Sequence, residues 1–112
     1  MSERENPELL PGTLYMMILG TLRHDPLHGY AIARRIKDWS RGDLQIEDGS
    51  MYPALNRMLV KGWLKAEWGT TDNNRRARFY RLTPEGRKQL EKESSAFDRM
   101  VRAIHLVMRP AK

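Results

Sequence analysis

Apolar positions along this chain recur with helical spacing in four stretches and with strand alternation in two. Leu14, Ile18 and Leu22 stand four residues apart, and Tyr15, Met17 and Leu19 widen the stripe, predicting a first helix over about 11–24. Asp25-Pro26 ends it, because the residue before a proline resists the helical region. Ile32, Ile36 and Trp39 mark one face of a second helix over about 28–40, closed by Arg41-Gly42-Asp43. A third helix is predicted from Ser50, a suitable N-cap, to Gly62, a C-terminal stop. Pro53 then falls in its first turn, where a missing N–H costs nothing, and Leu55, Met58 and Leu59 form its buried face.

Leu64, Ala66 and Trp68 next alternate on an outgoing strand, and Arg78, Tyr80 and Leu82 on a returning one. Gly69-Thr70-Thr71-Asp72-Asn73-Asn74 between them is turn chemistry. Thr83-Pro84-Glu85 combines an N-cap, a proline at the first helical position and an acid facing the positive end of the helix dipole. The helix it opens is expected to run to about residue 109. Leu90, Phe97 and Ile104 repeat every seven residues along it; Met100 and Val107 lie three further on, and Val101 and Met108 widen the stripe. Residues 1–8 are polar and are expected to form a disordered arm.

This order predicts a mainly α fold with a small β-hairpin: a winged helix-turn-helix over 9–83, then a long C-terminal dimerisation helix over 84–112. A helix of about 26 residues extends roughly 39 Å, more than so small a body needs for cover. Its apolar stripe would be a large exposed patch on a monomer, so a homodimer is expected. The alternative for Phe97, Met100 and Tyr15, a drug-sized pocket between subunits, is weaker, because such residues at helical spacing more often form core.

Charge sharpens the picture. The chain has 112 residues and a net charge of +6, and all of that excess falls within residues 49–88, where nine basic residues face three acidic ones. A neutral body carrying one basic helix–hairpin unit is the electrostatic footprint of a phosphate-backbone binder. An anionic membrane surface would call for a basic amphipathic helix instead, and no stretch is long and apolar enough to span a bilayer. The absence of cysteine excludes disulfides, thiolate metal sites and Cys nucleophiles, and suits a reducing cytosol. The N-terminus shows no apolar core of a secretory signal.

In a helix-turn-helix the second helix of the pair enters the major groove. Here that is the third helix, whose exposed positions are Ser50, Tyr52, Pro53, Asn56, Arg57 and Lys61. Ser, Asn and Arg are donors suited to base edges and phosphates. The hairpin tip, Asn73-Asn74-Arg75-Arg76, is a compact donor cluster. The bland reading of the wing is a solvated charged face; its place directly after the helix pair favours DNA. Pro53 is better explained as shaping the helix start, whereas Tyr52 divides evenly between packing and contact. His24, His28 and His105 share no metal-ligand spacing, and Asp43, Glu47 and Asp48 read as a solvated acidic loop. No grouping points to catalysis or to a cofactor, so an enzyme is not expected.

DGSMYPALNRMLVKGWLKAEWG and NNRRARFYRLTPEGRKQL, with LHGYAIARRI at 27–36, closely resemble the PadR family of bacterial transcriptional regulators over roughly residues 9–107. The resemblance is carried by HGY at 28–30, SMYPAL at 50–55, Gly62 and RARFYRLTPEG at 76–86. It implies a cytoplasmic, homodimeric winged-helix repressor of an inverted-repeat operator near its own promoter. It implies dimerisation through the C-terminal helix, helped by the first helix, which places Leu90, Phe97, Met100, Val101, Ile104, Val107 and Met108 at the interface. By position, Ser50, Tyr52, Pro53, Asn56 and Arg57 belong to the recognition helix, Arg75, Arg76 and Arg78 to the wing, and Tyr30 to a backbone contact. The short C-terminal region resembles the smaller subfamily without an added effector domain, which leaves a small-molecule effector an open question. The competing reading is a winged-helix module that binds a protein partner without specific DNA binding.

Overall fold

A computed structural model describes residues 12–109. The order is α1 (Thr13–Thr21), β1 (Leu27–His28), α2 (Gly29–Trp39), α3 (Asp48–Val60), β2 (Leu64–Thr70), β3 (Arg76–Leu82) and α4 (Pro84–Met108). The architecture is the expected one: mainly helical, with a winged hairpin and a long last helix. The polar arm at 1–8 lies outside the described residues.

Several expectations are corrected in detail. The hairpin gains a third strand, because Leu27 and His28 pair antiparallel with Tyr80 and Phe79, giving the order β1-β3-β2. The first helix ends at Thr21, three residues early, and Thr21 turns its hydroxyl back onto the Ile18 carbonyl. The third helix begins at Asp48 rather than Ser50, with Glu47 as an N-cap that makes no side-chain cap bond. Pro53 consequently lies in the second turn, where it removes the N–H that would reach the Gly49 carbonyl. Gly49 is exposed, so water can serve that carbonyl.

Both of the expected helix punctuation marks near the wing are present. Gly62 takes φ +80° and closes α3 in a Schellman motif, its N–H reaching the Leu59 carbonyl while the Trp63 N–H reaches Met58. Thr83 caps α4 by accepting from the Gly86 N–H at 2.9 Å.

The core lies where α1, α2, α3 and the inner face of the sheet meet, built on Ile18, Leu19, Ile32, Met51, Leu55 and Met58. Leu64, Tyr80 and Leu82 close it from the sheet. Two tryptophans of the apolar patterns, Trp39 beside Ile32 and Ile36 and Trp68 beside Leu64 and Ala66, are outside it: Trp39 is 63% exposed and Trp68 60%. Each is covered on one side by a guanidinium, Arg35 over Trp39 and Arg76 over Trp68. Leu90, expected in the partner-facing stripe, is buried in the chain's own core. With Gly86, it shows that the first turns of α4 belong to the body. The remainder of α4 projects, and the molecule measures 58 × 42 × 21 Å with a radius of gyration of 15.9 Å. A compact chain of this size would have about 13 Å.

Candidate nucleic-acid interface

Three segments converge beside α3. His28 caps α2 by accepting from the Ala31 N–H through Nδ1 and faces Phe79 across the β1–β3 pairing, ring to ring at 5.2 Å. That contact fixes the start of α2 against the wing. Gly29 follows immediately and leaves room for the Tyr52 ring from α3. Beyond the core, Arg76 and Arg78 continue along β3 on the same face as Tyr80, since residues two apart share a side of a strand. The turn at the tip is closed by the Asn74 N–H to the Thr71 carbonyl and by the Arg75 N–H to Thr71 Oγ1. Asn74 takes φ +65°, a left-handed position that asparagine tolerates.

The result is a groove of about 800 Å³ between α3 and the wing, lined by Tyr30, Tyr52, Asn56, Arg75, Arg76 and Arg78 together with His28 and Asn73. Six of the side chains expected at the DNA therefore meet in one place. Its chemistry is donor-rich and cationic. Burial raises the Tyr52 phenol above its ordinary value, with Asp48 and Tyr80 adding to the effect, so the hydroxyl remains protonated and able to donate. Tyr30 is exposed and accepts from Arg34 at 3.2 Å, which with Asp38 raises that guanidinium further.

The other three expected residues lie elsewhere on α3. At 100° per residue, Gly49, Pro53, Asn56 and Val60 form its outward ridge, within an arc of about 60°. Tyr52 flanks that ridge on the wing side; Ser50 and Arg57 flank it on the side of α1. Val60 is 88% exposed at the ridge, a position that sequence reading passed over. Its spacing from Pro53 and Asn56 would have revealed it. His28 and Gly29 were likewise absent from the expected site, because a groove wall made by the start of one helix has no local signature, whereas Asn73 belongs to the hairpin tip already read as a donor cluster.

Arg81 and Arg87, set apart from the tip, are engaged otherwise. Arg81 pairs with Glu67 at 3.8 Å, and Arg87 donates to the Arg23 carbonyl, joining α4 to the end of α1. Among the described residues no cluster of His and acidic groups could hold a metal, and no helix is long and apolar enough to cross a membrane.

Comparison with known proteins agrees with this geometry. Residues 18–92 match the model of the transcriptional regulator PadR-like family. A transcriptional regulator of Mycobacterium tuberculosis is 30% identical over 87 residues, covering 78% of each chain. A protein encoded in a transposon of Streptomyces fradiae is 35% identical over 85 residues, but this chain spans only 23% of its length. Among solved structures, a PadR family regulator from Eggerthella lenta superposes with a TM-score of 0.76 at 27% identity, covering 89% of this chain and 85% of that one. Bacillus subtilis PadR in complex with operator DNA shares the fold, with a TM-score of 0.65 at 24% identity over 76% of this chain and 47% of that one. With the winged helix, the long last helix and a family match over two thirds of its length, this chain belongs to the PadR-like family of transcriptional regulators.

Proposed function

We propose that the chain is a homodimeric, sequence-specific repressor that binds an inverted-repeat operator in double-stranded DNA through α3 and the wing of each subunit. The observation that carries this reading is the groove itself. Tyr30, Tyr52, Asn56, Arg75, Arg76 and Arg78 come from three separate segments, yet they line one cationic surface beside the exposed ridge of α3. Arginines suit phosphate and the minor groove, and Asn56 has the donor–acceptor pair that matches adenine in the major groove. Bacillus subtilis PadR, which shares this fold, is known in complex with operator DNA, which supports DNA as the partner.

Dimerisation is supported by α4. Phe97, Met100, Val101, Ile104, Val107 and Met108 fall within about 120° of its circumference, beyond the part that packs on the body. Phe97, Met100, Ile104, Val107 and Met108 are all exposed in the single chain. An apolar stripe on a projecting helix is the seam of a two-stranded contact. Two-fold symmetry then presents two reading helices to a palindrome. On this reading the wing and α1–α3 recognise DNA, the far half of α4 assembles the dimer, and any small-molecule effector acts at the seam. Such a regulator works in the bacterial cytoplasm, where its operator is.

Fluorescence anisotropy on the DNA upstream of its own gene, beside a scrambled duplex and a salt series, tests the proposal. A preference of about a thousandfold at physiological salt is expected. Three or four phosphates neutralised per subunit give a slope of log K against log salt near −5 to −7. Equal binding to both duplexes would remove the claim of sequence specificity. Binding to neither would turn the interpretation to a protein partner.

A further inference from the structure

We infer that Arg57 and Lys61 form a second phosphate-binding edge of α3, on the flank away from the wing, and that Tyr15 of α1 is the positioning residue for Arg57. The inference rests on the proposed DNA binding and assigns the half of the interface that the groove leaves open.

Arg57 and Lys61 stand one turn apart on the same side of α3. Each is held by an aromatic ring from a different segment. The Arg57 Nε–H donates to the Tyr15 hydroxyl, and the guanidinium carbon lies 5.7 Å from the Tyr15 ring centroid, at its hydroxyl edge. The Lys61 ammonium lies 5.2 Å over the ring of Trp63. Tyr15 and Trp63 themselves meet edge to face, 5.8 Å between centroids and 78° between planes. One continuous aromatic wall thus fixes both cations. A ring orients a cation without neutralising its net charge, so the pair remains available to an anion.

Groove dimensions identify that anion. A helix with side chains is about 10–12 Å across and the major groove about 12 Å wide, so a helix lying in it meets a sugar–phosphate strand on each side. The wing and Tyr30 flank the ridge of α3 on one side. Arg57 lies roughly 70° round from the ridge centre on the other, facing the opposite strand. A phosphate there carries no sequence information, which makes Arg57 a register-setting contact rather than a base reader.

The test uses the full-length protein, the duplex upstream of its own gene and a scrambled duplex, each with a salt series. R57Q, K61Q, Y15F and the Y15F/R57Q double variant are compared with wild type, and a thermal melt confirms that each folds. R57Q and K61Q are each expected to flatten the salt slope by about 0.9 per phosphate released, alike on both duplexes. Y15F keeps both charges and the ring but removes the hydroxyl that holds Arg57, so it should weaken binding about two- to fivefold with an unchanged slope, and should add nothing to R57Q. Unchanged slopes in R57Q or K61Q, with wild type still binding, would overturn the second edge. A loss in R57Q confined to the upstream duplex would make it a base reader and overturn it equally. Additivity of Y15F with R57Q would overturn the positioning role. If wild type bound no DNA, the proposed function would fall first, which separates the two failures.

Discussion

Gly29, the first residue of α2, lies directly against the Tyr52 ring of α3: a Cβ built there would stand 2.7 Å from both Cε1 and the phenolic oxygen. Because the colliding atoms are the outer end of a partly exposed side chain, Gly29→Ala displaces Tyr52 rather than the backbone. DNA binding is expected to fall several-fold, with a stability loss of about 1 kcal/mol in urea melts. Adding Tyr52→Ala should return part of that stability, since it removes the collision. A double variant less stable than the sum of the two single ones would show that the contact is not the constraint.

Base reading and phosphate binding separate by their salt behaviour. Asn56→Ala should cost about 1–3 kcal/mol on the preferred operator and little on scrambled DNA. Arg75→Ala should weaken both and flatten the salt slope. Equal losses on both duplexes for Asn56→Ala would remove its role as a base reader.

Trp68 contributes little to the core, being 60% exposed, but the Arg76 guanidinium lies 4.6 Å from its ring centroid. Trp68→Ala is expected to change the unfolding free energy by less than about 0.5 kcal/mol. DNA affinity should drop about two- to fivefold as Arg76 loses its orientation, with Trp68→Phe recovering part of it. Equal losses in wild-type and Arg76→Ala backgrounds would deny the coupling.

Gly86 is constrained far more tightly, since a Cβ there would collide with the backbone carbonyl of Trp63, which already accepts from the Thr83 N–H. Gly86→Ala should destabilise by at least about 2 kcal/mol, a fall of roughly 10 °C in Tm. Gly20→Ala is the control, because among the described residues nothing beyond its chain neighbours and its own helix backbone lies within 4 Å of a Cβ built there, and it should be neutral or slightly stabilising.

The seam of α4 makes a separable prediction. Ile104→Glu places a charge in the middle of the stripe while leaving the body's core untouched. Sedimentation velocity at micromolar concentration should move from dimer to monomer, with far-UV circular dichroism retained. A variant that remained dimeric would place the assembly surface elsewhere.

How much of this was legible in the sequence varied with how local each signal was. Gly62 and Thr83-Pro84 marked helix ends through backbone chemistry within a few residues, and they hold in the structure. β1 is only two residues long, and its identity comes from pairing with Phe79 and Tyr80, fifty residues away. No periodicity can show that. Ser50-Met51-Tyr52-Pro53 imitated a capped first turn, yet α3 already starts at Asp48, with Glu47 extended before it. Trp39 and Trp68 share the spacing of buried neighbours, yet they stand exposed with an arginine over each. The heptad spacing from Leu90 through Phe97 to Ile104 was real, but spacing does not say what covers a residue. Leu90 meets its own body, and the stripe becomes free only from Phe97 onward. The wing arginines were legible as charge; that they share a groove with Tyr30 required the tertiary fold.

The junction between α3 and α4 leaves almost no slack. The Thr83 hydroxyl donates to the Gly62 carbonyl at 2.6 Å, the Thr83 N–H reaches Trp63 at 3.1 Å, and Gly86 packs against the same carbonyl. These contacts tie the end of α3 to the start of α4, so a rigid tilt of one would carry the other, with the roughly 37 Å of α4 as the long arm. In a dimer joined at the far end of that arm, a tilt of about 5° displaces the other end by about 3 Å. That is close to the 3.4 Å step between successive nucleotides. In the proposed operator complex, a shift at that far end much smaller than a side chain would then carry the two α3 helices out of phase with the two halves of a palindrome.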